Sequence, residues 1–172
     1  MMAAVRILFL CMSNICRSPT AEGVFRSLAA ELAPELDLQA DSAGTHGYHL
    51  GHAPDTRSQQ VARARGVDLS ALRARQLTHA DFDAFDLILA MDQENLQFAL
   101  GMAPARRRAR VRLLLDFAPG QPLREVPDPY YGGLQDFELV FDLATQAARG
   151  LLQSLASGTA LSPQAGAARA LR

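Results

Sequence analysis

Cys11 and Arg17 stand six positions apart in the segment Cys11-Met12-Ser13-Asn14-Ile15-Cys16-Arg17-Ser18-Pro19. That spacing lets a thiol and a guanidinium close a small ring around a tetrahedral anion. The intervening backbone N–H groups can turn inward as an anion nest. A helix opening at Ser18-Pro19 would add its free N–H groups and its dipole. Arg17 can give two parallel hydrogen bonds to phosphate oxygens. The same positive field should lower the pKa of the Cys11 thiol and make it a thiolate nucleophile near neutral pH. Spacing alone is weak: with 17 Arg in 172 residues, a given offset from a cysteine meets Arg by chance about one time in ten. The context strengthens it, with an apolar run before, a helix start after, and Asn14 within. Asn tolerates the left-handed backbone that a tight nest needs. The competing reading is a buried structural cysteine ending a strand.

A second constellation is Val126-Pro127-Asp128-Pro129-Tyr130-Tyr131-Gly132-Gly133. By itself, Asp-Pro followed by two glycines signals a turn. Beside a Cys/Arg anion loop it gains a chemical meaning. Phosphoryl transfer from an aryl ester needs an acid to protonate the leaving oxygen. Asp128 can supply the proton, and Tyr130 and Tyr131 can wall an aromatic leaving group. His46, His49 and His52 recur at every third position, but no carboxylate or thiolate set completes a metal site, so neither metal nor cofactor is expected. The basic run Arg106, Arg107, Arg108, Arg110 and Arg112 reads as a solvated helix face rather than a docking patch.

The elements that must position these groups follow from the hydrophobic pattern. Val5 to Leu10 is an apolar run of strand formers, as in a strand buried on both faces. Ser18 is placed to cap the next helix, with Pro19 at its first position, Glu22 near its positive end, and Val24, Phe25, Leu28 and Leu32 along it. Leu36 to Ala43 reads as a second strand ended by Gly44. Asp55 caps a second helix, stopped by Gly66. Asp86 to Met91 is a third strand, with Asp92 capping the helix beyond, and Val111 to Leu115 is a fourth. Pro119 to Gly133 is a long loop. Phe137 to Leu155 follows helical spacing, and residues 158–172 read as a flexible tail after a domain spanning 1–157. Strands alternating with helices imply one α/β domain around a parallel sheet, with ligands at the carboxyl ends of its strands.

The formal net charge is −1, and all 17 basic residues are Arg. Nothing global points to nucleic acid or membrane as a partner. The two cysteines are too few for a disulfide framework, and no apolar run approaches a membrane span, so a reducing cytoplasm is expected.

Taken together, Cys11 to Glu22, Asp41-Ser42-Ala43-Gly44-Thr45, Arg73-Ala74-Arg75-Gln76, Met91-Asp92 with Asn95, and Asp128-Pro129-Tyr130-Tyr131 resemble the low-molecular-weight protein tyrosine phosphatases. The resemblance runs in order over about residues 5 to 155. It implies a four-stranded parallel sheet, helices on both faces and no metal. It implies that Cys11 is the nucleophile and forms a phosphocysteine, within a phosphate loop of Met12, Ser13, Asn14, Ile15 and Cys16. Arg17 would bind phosphate, and Ser18 would hydrogen-bond the thiolate. Asn14 would hold the loop's backbone with Ser42 supporting it. Asp128 would protonate the leaving phenolate and then activate water. Tyr48 matches a variable aromatic gatekeeper beside Tyr130 and Tyr131. Cys16 would form a reversible disulfide with an oxidised Cys11. Two positions depart from the pattern. Ser13 stands where the family usually has Gly, and Leu72 where many members have a His that helps anchor the loop Asn.

The implied substrates are phosphotyrosine proteins, including a tyrosine kinase or its targets in bacteria. Three other readings remain open. Phosphoarginine hydrolysis goes with Thr at the loop position held here by Ile15. Arsenate reduction needs downstream cysteines to relay a disulfide, and none follows Cys16. A non-catalytic phosphoprotein-binding module would have no use for Cys11, Arg17 and Asp128 together.

Overall fold

The run Val5–Cys11 forms β1, and every residue from Ile7 onward is buried. Both faces of this strand are covered, which is why its apolar residues run on without alternation. The computed structural model describes residues 3–162. In it, β1 pairs in parallel with β2 (Leu38–Gly44) on one side and β3 (Leu87–Ala90) on the other. β4 (Val111–Leu113) continues the sheet in parallel beyond β3, giving the order β2-β1-β3-β4.

Alternate residues of the strands feed two cores. Ile7, Phe9, Leu87 and Leu89 pack with residues of α1 (Arg17–Leu32), α2 (Thr56–Ala64) and α5 (Leu134–Ser157). Leu8, Leu10 and Ile88 pack with Phe82 of α3 (Asp81–Ala84), Phe85, and Ala99 of α4 (Gln93–Met102). The expected α/β fold, a four-stranded parallel sheet with helices on both faces, is therefore present. The chain leaves β1 for one neighbour and returns past it to β3. This opens a crevice at the carboxyl ends of β1 and β3, where residues 12–16 lie.

The element ends differ from the sequence reading in instructive ways. Asp55 and Asp92 do cap α2 and α4, accepting from Arg57 N and Asn95 N, both at 2.8 Å. Ser18 is not a cap. Helix α1 starts two residues earlier, at Arg17, Cys16 occupies the cap position without a side-chain bond, and Ser18 lies inside the first turn. Its hydroxyl is thereby free to face the loop. Glu22 lies beyond that first turn and is buried. β2 begins at Leu38 rather than Leu36, and β4 stops at Leu113 because Leu114–Phe117 tightens into a buried 3-10 turn. The short α3 carries no signal of its own length. The basic run forms a 3-10 turn, Ala105–Arg110, whose Arg106 and Arg107 face Asp83. Of the tail expected over 158–172, Thr159 and Ala160 donate back to Ser154 O, and Ala160 is buried. Residues 163–172 lie outside the described residues.

Candidate active site

Gly44, paired with Cys11 across β1 and β2, lets the loop after Cys11 pass close by. A Cβ there would sit 2.7 Å from Met12 O. Thr45 N and His46 N then donate to Cys11 O and Met12 O, each at 2.9 Å, and tie the loop's start to the end of β2. Asn14 has a φ of +58°, and it alone among the described non-glycine residues has a positive one. Ser13 therefore carries its side chain without left-handed strain, and the departure from glycine costs the loop nothing in backbone conformation.

The buried side chain of Asn14 organises the polar network. Its Oδ1 accepts from Arg75 N at 3.0 Å. A backbone N–H can only donate, so this bond fixes which way the amide faces. The Asn14 Nδ2 group must then donate to Ser18 Oγ at 2.7 Å and Ser42 Oγ at 2.9 Å. Each serine hydroxyl is thereby left to donate onward. Ser42 donates to Glu22 Oε1 at 2.7 Å. Ser18 Oγ lies 3.0 Å from Cys11 Sγ, with its alternative acceptor, Ala43 O, farther away at 3.4 Å. Asn14 N also donates to the sulfur, at 3.3 Å. Ser18 Oγ and Asn14 N thus converge on Sγ, and both can donate to it when the sulfur carries negative charge. Leu72, where a histidine anchor was the family's usual device, packs partly buried against the core. Arg75 N, Ser18 and Ser42 support Asn14 in its place.

Arg17 is buried and charged. Its Nη1 donates to Asp92 Oδ2 at 2.6 Å and to Val126 O at 3.0 Å. Its Nη2 lies 3.9 Å from Asp128 Oδ2. Burial works against this charge, but Cys11, Asp92 and Asp128 outweigh it and raise the guanidinium pKa. Asp92 serves two elements at once, one oxygen capping α4 and the other holding Arg17. Burial, with Asp55 and Cys11 adding to it, pushes the Cys16 thiol up to about 12, so it stays protonated at neutral pH. Burial also raises the Glu22 carboxyl, against the opposing bond from Ser42 and the charge of Arg26.

A cavity of about 240 Å³ opens above the loop and is lined by Cys11, Arg17, Tyr48, His49, Asp128 and Tyr130, among others. Met12, Ser13, Ile15, Cys16 and Tyr131 also border it. Asn14, Ser18 and Ser42 stand behind it as support. The mouth is aromatic: Tyr48 stacks on His46 at 5.1 Å, and Tyr130 meets Tyr131 edge-on at 4.9 Å. His49 packs against His52 and Tyr130, and among the described residues no group of His, Cys, Asp or Glu is placed to hold a metal. Sequence reading gave Asp92 no role beyond a cap, Glu22 none beyond the dipole, and His49 no place in the site. The doubled role of Asp92 has no local signal, since Arg17 lies 75 positions away.

Comparison with known proteins agrees with this geometry. Residues 6–160 match the family model described as low molecular weight phosphotyrosine protein phosphatase. The chain is 41% identical over 151 residues to the low molecular weight protein-tyrosine-phosphatase YfkJ of Bacillus subtilis, covering 88% of this chain and 96% of that one. It is 39% identical over 153 residues to the human low molecular weight phosphotyrosine protein phosphatase, covering 88% and 96%. The crystal structure of a protein tyrosine phosphatase from Entamoeba histolytica, with Hepes in its active site, superposes with a TM-score of 0.86 at 36% identity, covering 90% of this chain and 98% of that one. A sulfur beside a serine hydroxyl and a loop N–H, a buried arginine next to it and a match over residues 6–160 have one common explanation: the chain belongs to the low-molecular-weight phosphotyrosine protein phosphatase family.

Proposed function

We propose that this chain hydrolyses phosphotyrosine in proteins through a phosphocysteine on Cys11. The observation that carries the reading is the placement of Cys11, Arg17 and Asp128 around one cavity, with Ser18 Oγ and Asn14 N directed at the sulfur. The Cys11 thiolate attacks phosphorus, and an S–P bond forms as the P–O bond to the phenol breaks. Asp128 gives its proton to the leaving oxygen. Arg17 and the loop N–H groups hold the three equatorial oxygens while their charge develops. Ser18 stabilises the sulfur as nucleophile and again as leaving group. In the second half Asp128, now a carboxylate, takes a proton from water as that water attacks phosphorus. The P–S bond breaks, and phosphate and thiolate are restored.

Ile15 at the cavity wall and the tyrosines at its mouth favour a flat aromatic phosphoester over a guanidinium phosphate. The physiological targets include a tyrosine kinase or its substrates. A reducing cytoplasm suits two free thiols in one loop, and a reversible disulfide between Cys16 and an oxidised Cys11 would first need the tightly held Cys16 proton removed. Among the described residues no helix is long and apolar enough to cross a membrane.

The test is phosphate release from a phosphotyrosine peptide at mildly acidic pH, beside Cys11→Ser and with phosphoarginine as competing substrate. Release by the unaltered protein alone, selective for phosphotyrosine, is expected. Binding without release would leave a phosphoprotein-binding module, and preference for phosphoarginine would replace the substrate.

A further inference from the structure

Arg57, in the first turn of α2, takes no part in the chemistry above, yet its guanidinium spans two loops. Asp55 holds it from below, accepting from Nε at 3.1 Å and from Nη2 at 3.0 Å. Asp55 is itself tied to the phosphate loop, since its N–H donates to Ile15 O at 2.8 Å. From the other side, Arg57 Nη2 donates to Tyr130 O at 3.0 Å and Nη1 to Gly132 O at 3.4 Å. Its guanidinium carbon lies 4.4 Å from the centre of the Phe137 ring at the start of α5. Tyr130 closes the series: its N–H donates to Asp128 Oδ1 at 3.1 Å. A continuous set of bonds thus runs from Ile15 through Asp55, Arg57 and Tyr130 to Asp128.

The loop needs such a tether. Its side toward β3 is fixed where Val126 N donates to Met91 O at 2.8 Å. Past that point, among the described residues, the backbone carbonyls that reach the body of the protein do so through Arg57. The Asp128 side chain is 43% exposed, so packing alone does not place it. A single-point cation could not serve equally well, because the planar fork must meet a carboxylate and two carbonyls in different directions.

We propose that Arg57 is a positioning residue that sets the distance of the Asp128 carboxyl from the scissile oxygen above Cys11. This rests on the reading of Asp128 as the acid. Misplacing an acid by an ångström harms substrates according to how much their leaving group needs a proton. A merely structural Arg57 would slow all substrates alike.

The test measures burst rates of phenol release from phenyl phosphate, whose phenol is weakly acidic, and from p-nitrophenyl phosphate, whose phenol is strongly acidic. Arg57→Ala is expected to slow phenyl phosphate about 10- to 100-fold while changing p-nitrophenyl phosphate less than about 3-fold. Competitive inhibition by inorganic phosphate should not change. Arg57→Lys keeps the charge facing Asp55 but not the fork. It should show the same bias to a smaller degree, and it decides the matter if Arg57→Ala does not fold. Asp128→Asn supplies the reference. If that variant shows no leaving-group bias, the acid reading falls and this proposal falls with it. If it shows the bias but the Arg57 variants slow both substrates equally, or weaken phosphate inhibition, the positioning role alone is overturned.

Discussion

Replacing Asp92 separates two jobs that one carboxylate performs. Asp92→Asn keeps an oxygen able to accept from Asn95 N, and Asn is as good a helix cap as Asp. It removes the charge facing Arg17, whose side chain is 3% exposed and whose Nη1 lies 2.6 Å from Asp92. Breaking a buried ion pair from one side costs about 3–5 kcal/mol. Asp128 at 3.9 Å and the Cys11 sulfur remain to share the Arg17 charge, and the Asp92 side chain keeps 19% exposure. Both facts place Asp92→Asn at the lower end, about 3 kcal/mol. Asp92→Ala loses the cap as well, adding about 1 kcal/mol. Urea denaturation at neutral pH should show both steps as falling midpoints with an unchanged slope. Inhibition by inorganic phosphate should weaken in both variants, because Arg17 loses its anchor. If Asp92→Asn stays within about 0.5 kcal/mol of the unaltered protein, Arg17 does not depend on that carboxylate, and the account of how it is held is wrong.

Two further outcomes follow from the support network. Burial raises the Glu22 carboxyl above its ordinary range, so the folded state holds that proton more tightly than the unfolded chain. Stability contributed there is lost as pH rises from the ordinary carboxylate range through the folded value. Glu22→Gln keeps an acceptor for Ser42, and it should gain on the unaltered protein at neutral pH and lose that gain in acid; parallel urea titrations at both pH values decide it. Gly44→Ala puts a methyl 2.7 Å from Met12 O; it should cost about 1–3 kcal/mol and lower phosphatase activity, and normal values for both would show that the loop does not need that approach.

The parts legible in the sequence were those whose partners are near in the chain or whose type is distinctive. Cys11 and Arg17 announce themselves by spacing, Asp55 and Asp92 by the helices they precede, and Asp128 by its proline. Ser18 shows the limit of such reading. A serine before proline looks like a cap by its local pattern; the family resemblance, not the pattern, points it at the thiol, and in the fold it lies inside the first turn facing the sulfur. Glu22 looks like a dipole residue but is buried as the acceptor for Ser42. Arg57 has a near partner in Asp55, but its reach to the Asp128 loop is not legible, because there it binds carbonyls, which every residue possesses, more than 70 positions away. β4 ended early because the apolar run Leu113 to Leu115 fits a buried strand and a buried turn equally well.

The reach of these bonds has a consequence for the chain as it is made. The phosphate loop is complete in sequence by residue 18, but Asn14 is held by Arg75, and Arg17 by Asp92 and Val126, 61, 75 and 109 positions away respectively. Contacts of such separation form late, after the intervening chain has been closed. A ribosome-bound chain that has emerged only through β3 carries the cysteine but lacks the carbonyl of Val126 and the carboxyl of Asp128. The set of groups around Cys11 is thus not complete until nearly the whole domain has been synthesised. The nucleophile is among the first residues to leave the ribosome, and its site is among the last to be finished.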